Sequence, residues 1–177
     1  MGVIIFLCGM VSSSFFERKV YEIKEWVSKP FLPPQEMRTV KLYFSAPQEN
    51  YLLAEEREII ISLNPNREVE EILEELIKGP RDISLSSTLP SSTRVRDVWV
   101  EKNCIYVDFT SSLTEAHPGG SSGELLTVYS IVNTLLDNFP SCSYVQILIQ
   151  DKPAETLAGH VNITEPLSKN PDLVKNP

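Results

Sequence analysis

Residues 64–80 read NPNREVEEILEELIKGP, and this stretch decides the fold class. Asn64 is a helix-capping residue type and Pro65 suits the first helical position, where its missing N–H costs nothing. Glu68, Glu70 and Glu71 sit where acidic groups favour the positive end of the helix dipole. Val69, Ile72, Leu73, Leu76 and Ile77 recur at i, i+3, i+4, i+7 and i+8, which is one apolar stripe. Lys78, Gly79 and Pro80 stop the helix. A helix with a single wet face must lie on something, and the flanking sequence supplies strands.

Upstream, Val40, Leu42 and Phe44 alternate with Lys41 and Tyr43 and predict a half-buried strand. Residues 58–63, with three consecutive isoleucines, give a second. Downstream, residues 94–100 and 104–109 form a predicted hairpin around Glu101-Lys102-Asn103. A second helix is expected from Ser121 to about Asn138, with Ser121 and Glu124 spaced as a capping box. Leu125, Val128, Tyr129, Val132, Leu135 and Phe139 mark its main face. Leu126, Ile131 and Leu136 widen that face, so this helix should be covered on more than one side. Residues 144–149 and a short segment around 157–163 supply the fifth and sixth strands. The order β-β-α-β-β-α-β-β predicts an α/β (α+β) fold, two helices packed on a mixed β-sheet.

The 177 residues hold 42% hydrophobic and 23% charged residues, the balance of a chain that buries a core. The net charge of −8 repels phosphate backbones, and no Lys/Arg run interleaves with aromatics, so nucleic acid is not an expected partner. Charge is uneven. Residues 1–38 hold five basic and four acidic residues, while residues 39–177 hold the other eleven basic and twenty acidic.

Residues 1–16 contain an apolar run at 3–11 that is shorter than the roughly 20 residues needed to cross a bilayer. It reads as the apolar part of a secretory signal, with an ordinary buried strand as the alternative. Cys8 inside it is a weak lipid-anchor candidate, because Leu7 is not the small residue such signals place before the cysteine. Residues 17–38 read as a juxtamembrane helix followed by a spacer, KPFLPP, that blocks regular structure. Residues 39–167 form the folded domain, and residues 168–177 are expected to be a disordered tail.

KLYFS at 41–45, Arg57, LIKGP at 76–80, GGSSGELLTVYSIVNTLL at 119–136, VQILI at 145–149 and ETLAGHVNITEPL at 155–167 follow one another in order. Together they resemble the GerM-type (GerMN) sporulation and spore germination domain. The resemblance implies a secreted or membrane-anchored bacterial protein, often a lipoprotein, with a fold similar to ring-building-motif modules. It implies no catalytic residues and no cofactor. The best-known member carries two such domains, whereas one copy is legible here.

The residues themselves agree that chemistry is sparse. Ser121, Ser122, His117 and Glu115 are close in sequence, but Ser121 is already explained by capping. Cys104, Cys142, His117 and His160 lack zinc-ligand spacing, so no metal is expected. Acid pairs such as Glu70–Glu71 and Glu74–Glu75 read as a solvated helix face. Cys104 and Cys142 flank a strand–helix–strand crossover at the same sheet end and are candidates for a disulfide, with two buried thiols as the alternative.

The functional expectation is therefore a non-enzymatic interaction or assembly module, exported and held at the outer face of the cytoplasmic membrane or in the periplasm. Its partner would be another extracytoplasmic protein or a second copy, and it would meet the membrane only through the N-terminal segment. The alternative is a monomeric module that binds a small ligand or cell-wall fragment. The expected partner interface is His117, Gly119, Gly120, Ser121 and Glu124 in one loop, or Leu157, Gly159, His160 and Val161 in the predicted last strand, whose edge could accept a neighbour.

Overall fold

The computed structural model describes residues 36–47 and 49–175. The apolar segment, Cys8 and the proline spacer lie outside the described residues.

The fold is α+β, built on two sheets. The first is an antiparallel hairpin of β1 (Met37–Ser45) and β2 (Leu52–Ile60). The second has the order β3-β4-β5-β6, formed by Val95–Glu101, Cys104–Phe109, Tyr144–Ile149 and Lys152–Pro153. Strands β4 and β5 run parallel, joined by a helical crossover, and the other pairs are antiparallel. Among the described residues three α-helices complete the set: α1 (Pro65–Ile77), a single turn α2 (Ser112–Glu115) and α3 (Ser121–Asn138).

Helix α1 forms as its sequence predicts. Asn64 caps it by accepting from the Asn66 N–H at 3.0 Å, and Val69, Ile72, Leu73 and Leu76 are buried. Gly79 ends the helix with φ +86°, and a side chain there would run into Ser87 Oγ. One core joins these residues to Val40, Leu42 and Phe44 of β1, Ile105, Val107 and Phe109 of β4, and Val128, Ile131 and Leu135 of α3.

Helix α3 is buried on nearly every side, as its breadth of apolar residues requires. Its polar side chains take over a sheet edge. The Tyr43 N–H donates to Thr134 Oγ1 (3.0 Å), Ser130 Oγ donates to the Tyr43 carbonyl (2.7 Å), and Asn138 both accepts from Lys41 N–H (3.1 Å) and donates to its carbonyl (2.8 Å). Residues 130, 134 and 138 fall on one stripe at i, i+4 and i+8 and act as a substitute strand beside β1.

Four local expectations are corrected. Strand β2 spans Leu52–Ile60 rather than 58–63. Its glutamate-rich first half is a poor strand by propensity, but it is drawn in by pairing such as Lys41 opposite Glu56. The last strand is Lys152–Pro153. Residues 157–163 have no strand, because their backbone donors go to a buried carboxylate instead of a ladder.

The capping box does not form either. Gly120 at φ +84° is the N-cap, leaving Ser121 exposed, and Glu124 turns away from the helix start. The segment from Ser168, expected to be disordered, is ordered as far as Lys175. The Asn170 N–H donates to Asn133 Oδ1 and Asn133 Nδ2 donates to the Asn170 carbonyl, each at 2.9 Å, and the Lys175 N–H reaches the Leu52 carbonyl. Cys104 and Cys142 are both free buried thiols, the alternative to a disulfide between them. Cys142 belongs to the core cluster, and Cys104 also meets the Tyr106 hydroxyl.

Candidate functional site

The two segments expected to meet a partner are brought together, and Glu124 is the reason. It lies one turn into α3 with its side chain fully buried. Its Oε1 accepts from the backbone N–H groups of Leu157 (2.8 Å) and Ala158 (2.9 Å), and its Oε2 from the N–H of His160 (2.8 Å) and the ring Nδ1 of His160 (3.1 Å). Burial alone would push the carboxyl up. The converging N–H groups of Ala158, His160, Val161 and Leu157 outweigh it and hold Glu124 below the ordinary carboxylate range. The loop is therefore wrapped around an anion supplied by the helix. Leu157 and Ile163 on either side of it enter the core.

His117 anchors the other strand of this junction. The Gly119 N–H donates to its Nδ1 at 3.0 Å, so the proton sits on Nε2, which points at Thr127 Oγ1, also at 3.0 Å. The Thr127 hydroxyl in turn donates to the Thr88 carbonyl at 2.6 Å. Burial lowers the His117 pKa, partly opposed by the Glu124 charge, which favours the neutral ring that this pattern requires. Ser121 and Ser122 are exposed, and both nitrogens of His117 are engaged elsewhere. No base is thus aimed at a nucleophile here. Gly119 and Gly120 have positive φ with open space beyond their Cα atoms, and that backbone conformation serves the turn geometry.

A second network explains Arg57 and the LIKGP segment. The Arg57 guanidinium is buried and donates to Glu55 Oε1 through Nε (2.8 Å) and Nη2 (2.6 Å), to the Glu75 carbonyl and Oε2 through Nη1 (2.9 and 3.1 Å), and to the Gly79 carbonyl through Nη2 (2.6 Å). Glu55 Oε2 then accepts from the N–H groups of Arg81 and Asp82. This caps the carbonyl end of α1 and pins the following turn to β2. At the far end of the second sheet, buried Asp108 accepts from Arg96 Nη1 (2.5 Å) and from the Asp151 N–H (2.9 Å), and it fixes the tight turn into β6.

A cleft of about 500 Å³ lies between β1, the end of α3 and the segment around Lys169–Val174. Lys41, Tyr43, Asp137 and Lys169 line it. The Tyr43 hydroxyl and the Lys169 ammonium both bond Asp137. Burial, reinforced by Asp137, holds the Tyr43 hydroxyl above its ordinary pKa. Sequence reasoning missed this cleft because one wall of it, Lys169, Pro171 and Val174, comes from residues read as a tail. Among the described residues no group of three or more His, Cys, Asp or Glu could share a metal ion, and no helix is long and apolar enough to cross a membrane.

These features define a small α+β module whose distinctive residues are committed to holding its own loops. The chain belongs to the Germane family, sporulation and spore germination, whose family model matches residues 41–155. Solved structures share the fold. The first GerMN domain of the sporulation protein GerM from Bacillus subtilis aligns with a TM-score of 0.61 at 23% identity, over 74% of this chain and 97% of that one. The tandem GerMN domains of the same protein align at 0.60 and 17% identity, over 84% of this chain and 51% of theirs, so this chain spans about half of the tandem structure. A Clostridium perfringens protein described as a candidate lipoprotein aligns at 0.56 and 21% identity, over 80% of this chain and 97% of that one. No curated protein matches the chain.

Proposed function

We propose that this chain is a non-enzymatic, extracytoplasmic interaction module of the GerM type, held at a membrane by its N-terminal segment and working in a sporulation, germination or envelope assembly. The observation that carries the reading is that Glu124 of the family's most distinctive block, and His117 just before it, are engaged internally. Glu124 satisfies the loop at 157–160, and His117 bridges Gly119 and Thr127. Family membership and a fold shared with a candidate lipoprotein support export and anchoring. The test is fractionation with protease accessibility on intact cells: the protein should sediment with membranes and be cleaved from outside. Recovery in the cytosol overturns the reading.

The cleft at Lys41, Tyr43 and Lys169 supports a second reading, a monomer that binds a small anionic cell-wall fragment. Light scattering across a concentration series, with and without muropeptides, separates the two. A constant monomer whose melting temperature rises with muropeptide favours the second.

A further inference from the structure

Among the described residues, the sheet edges other than that of β2 are at least partly covered. The outward backbone groups of β1 are taken by Thr134, Ser130, Asn138 and the Ser86 backbone. On β3, the Val100 N–H donates to Asn66 Oδ1 (3.2 Å) and the Val98 N–H to Asp97 Oδ1 (2.9 Å). Strand β5 is covered by β6 and by Leu167, which exchanges both backbone bonds with Val145. Strand β2 differs. Tyr43 and Lys41 point their backbone groups away from β2, so their register partners Ala54 and Glu56 point theirs away from β1. Glu58 and Ile60 follow in the same phase. The Leu52 carbonyl is met by Lys175, but the outward groups of Ala54, Glu56, Glu58 and Ile60 have no backbone partner among the described residues.

A groove of about 270 Å³ borders this edge, between β2 and α1. Glu58, Glu71, Glu74 and Glu75 line it together with Met37 and Ile60, which are half exposed. Glu75 is paired to Arg57 and Lys78, and Glu71 to Arg67, whereas Glu56, Glu58 and Glu74 have no ion-pair partner among the described residues. Unpaired backbone groups, two exposed apolar side chains and surplus negative charge thus meet in one place. A second copy is a poor occupant. Antiparallel pairing of β2 with itself would set Glu56 and Glu58 against the same residues of the other chain, and like charges directly opposite are destabilising.

We infer that the open edge of β2 over residues 54–60 docks an extended segment of the partner protein by strand addition, and that this segment carries Lys or Arg at alternate positions facing Glu56, Glu58 and the α1 glutamates. The inference rests on the reading of the chain as a partner-binding module.

The experiment places a photo-crosslinking amino acid at Glu56 or Glu58 of the full chain in the cells that make it, with Asp97 on β3 and Ser121 as control positions. Adducts from the β2 positions should map, by mass spectrometry, to a basic extended stretch of a different protein. They should fall tenfold or more when Glu56→Lys and Glu58→Lys are combined with the probe at the neighbouring position Ala54. Near-UV circular dichroism of the purified charge-reversed protein must be unchanged. A third variant, Glu58→Pro, removes one outward N–H while leaving the bonds to β1 in place, and should reduce adducts comparably. Adducts that map to a second copy, or to residues 1–35 of the same chain, overturn the inference, as does yield insensitive to charge reversal. Adducts from Asp97 or Ser121 but not from β2 overturn this site and leave the assembly reading standing. No adduct from any position removes both.

Discussion

The backbone N–H of His160 donates to Glu124 Oε2 at 2.8 Å across 36 residues of sequence, and the same carboxylate holds Leu157 and Ala158 through its other oxygen. One side chain of α3 therefore organises the loop that covers the end of the core. The two sequence blocks expected to meet a partner are joined to each other through this buried carboxylate, while Gly120, Ser121, Gly159 and His160 stay exposed around it.

Replacing this carboxylate tests the joint. Glu124→Gln keeps the size but puts an NH₂ where backbone N–H groups converge, and should cost about 2–4 kcal/mol, since charge-assisted buried bonds are lost and donors are orphaned. Urea unfolding at pH 7 reads the loss. The native pKa of Glu124 lies below its ordinary value of 4.5, so its contribution is fully present above that value and is lost as pH falls through the native one. The stability gap between wild type and variant should therefore narrow below about pH 4.5. A gap constant from pH 7 into that range would show that the charge is not what the loop binds.

His117 titrates in a different window. Its native pKa is below the ordinary 6.5, so folding favours the neutral ring. Stability linked to His117 is complete above pH 6.5 and declines as pH drops below it, because the unfolded chain then binds the proton more readily. Proton–nitrogen correlation spectra should show the neutral Nε2–H tautomer and a titration midpoint below that of a free histidine. A midpoint at or above the free value would contradict the Gly119–His117–Thr127 chain of bonds.

Arg57 is the second load point, and its removal should be worse than that of any surface charge. Arg57→Ala strands Glu55, Glu75 and the Gly79 carbonyl in a buried setting, with an expected cost of about 3–5 kcal/mol. Arg57→Lys retains charge but loses the fork that reaches three acceptors at once, and should recover less than half of that loss. Chemical denaturation of both variants decides it. Equal stability of the Lys variant and wild type would mean that charge alone suffices.

The amphipathic helix at 64–80 was legible because cap, stripe and stop all sit within seventeen residues and agree. What escaped the sequence was everything fixed by a distant partner. Glu124, three residues after Ser121, matches a capping box, and nothing local reveals that its oxygens meet backbone 33 to 36 residues on. Residues 168–175 have the polar, proline-bearing composition of a loose end. The buried amide of Asn133, which mimics a neighbouring strand for Asn170, holds them in place together with the Leu52 carbonyl and Asp137. The stripe Ser130, Thr134, Asn138 was the one detectable signal that was passed over: polar residues at helical spacing inside an apolar helix imply a polar surface to face. Strand β2 was half-missed for the opposite reason, since its glutamates are strand residues only by virtue of the neighbour they pair with.

The thiols allow a last test that needs no variant. Cys142 packs in the core and Cys104 beside Tyr106, with burial pushing the Cys104 thiol up and the Tyr106 hydroxyl partly opposing it. A raised thiol pKa leaves little thiolate at neutral pH, and thiolate is the species that attacks or oxidises. Native protein should therefore react slowly with a thiol reagent at Cys104, and at Cys142 because burial denies the reagent access, whatever compartment it comes from. Under denaturing, non-reducing conditions all three cysteines of the unlipidated chain, Cys8 included, should count as free. A count of one, with Cys8 the survivor, would mean that Cys104 and Cys142 had bridged.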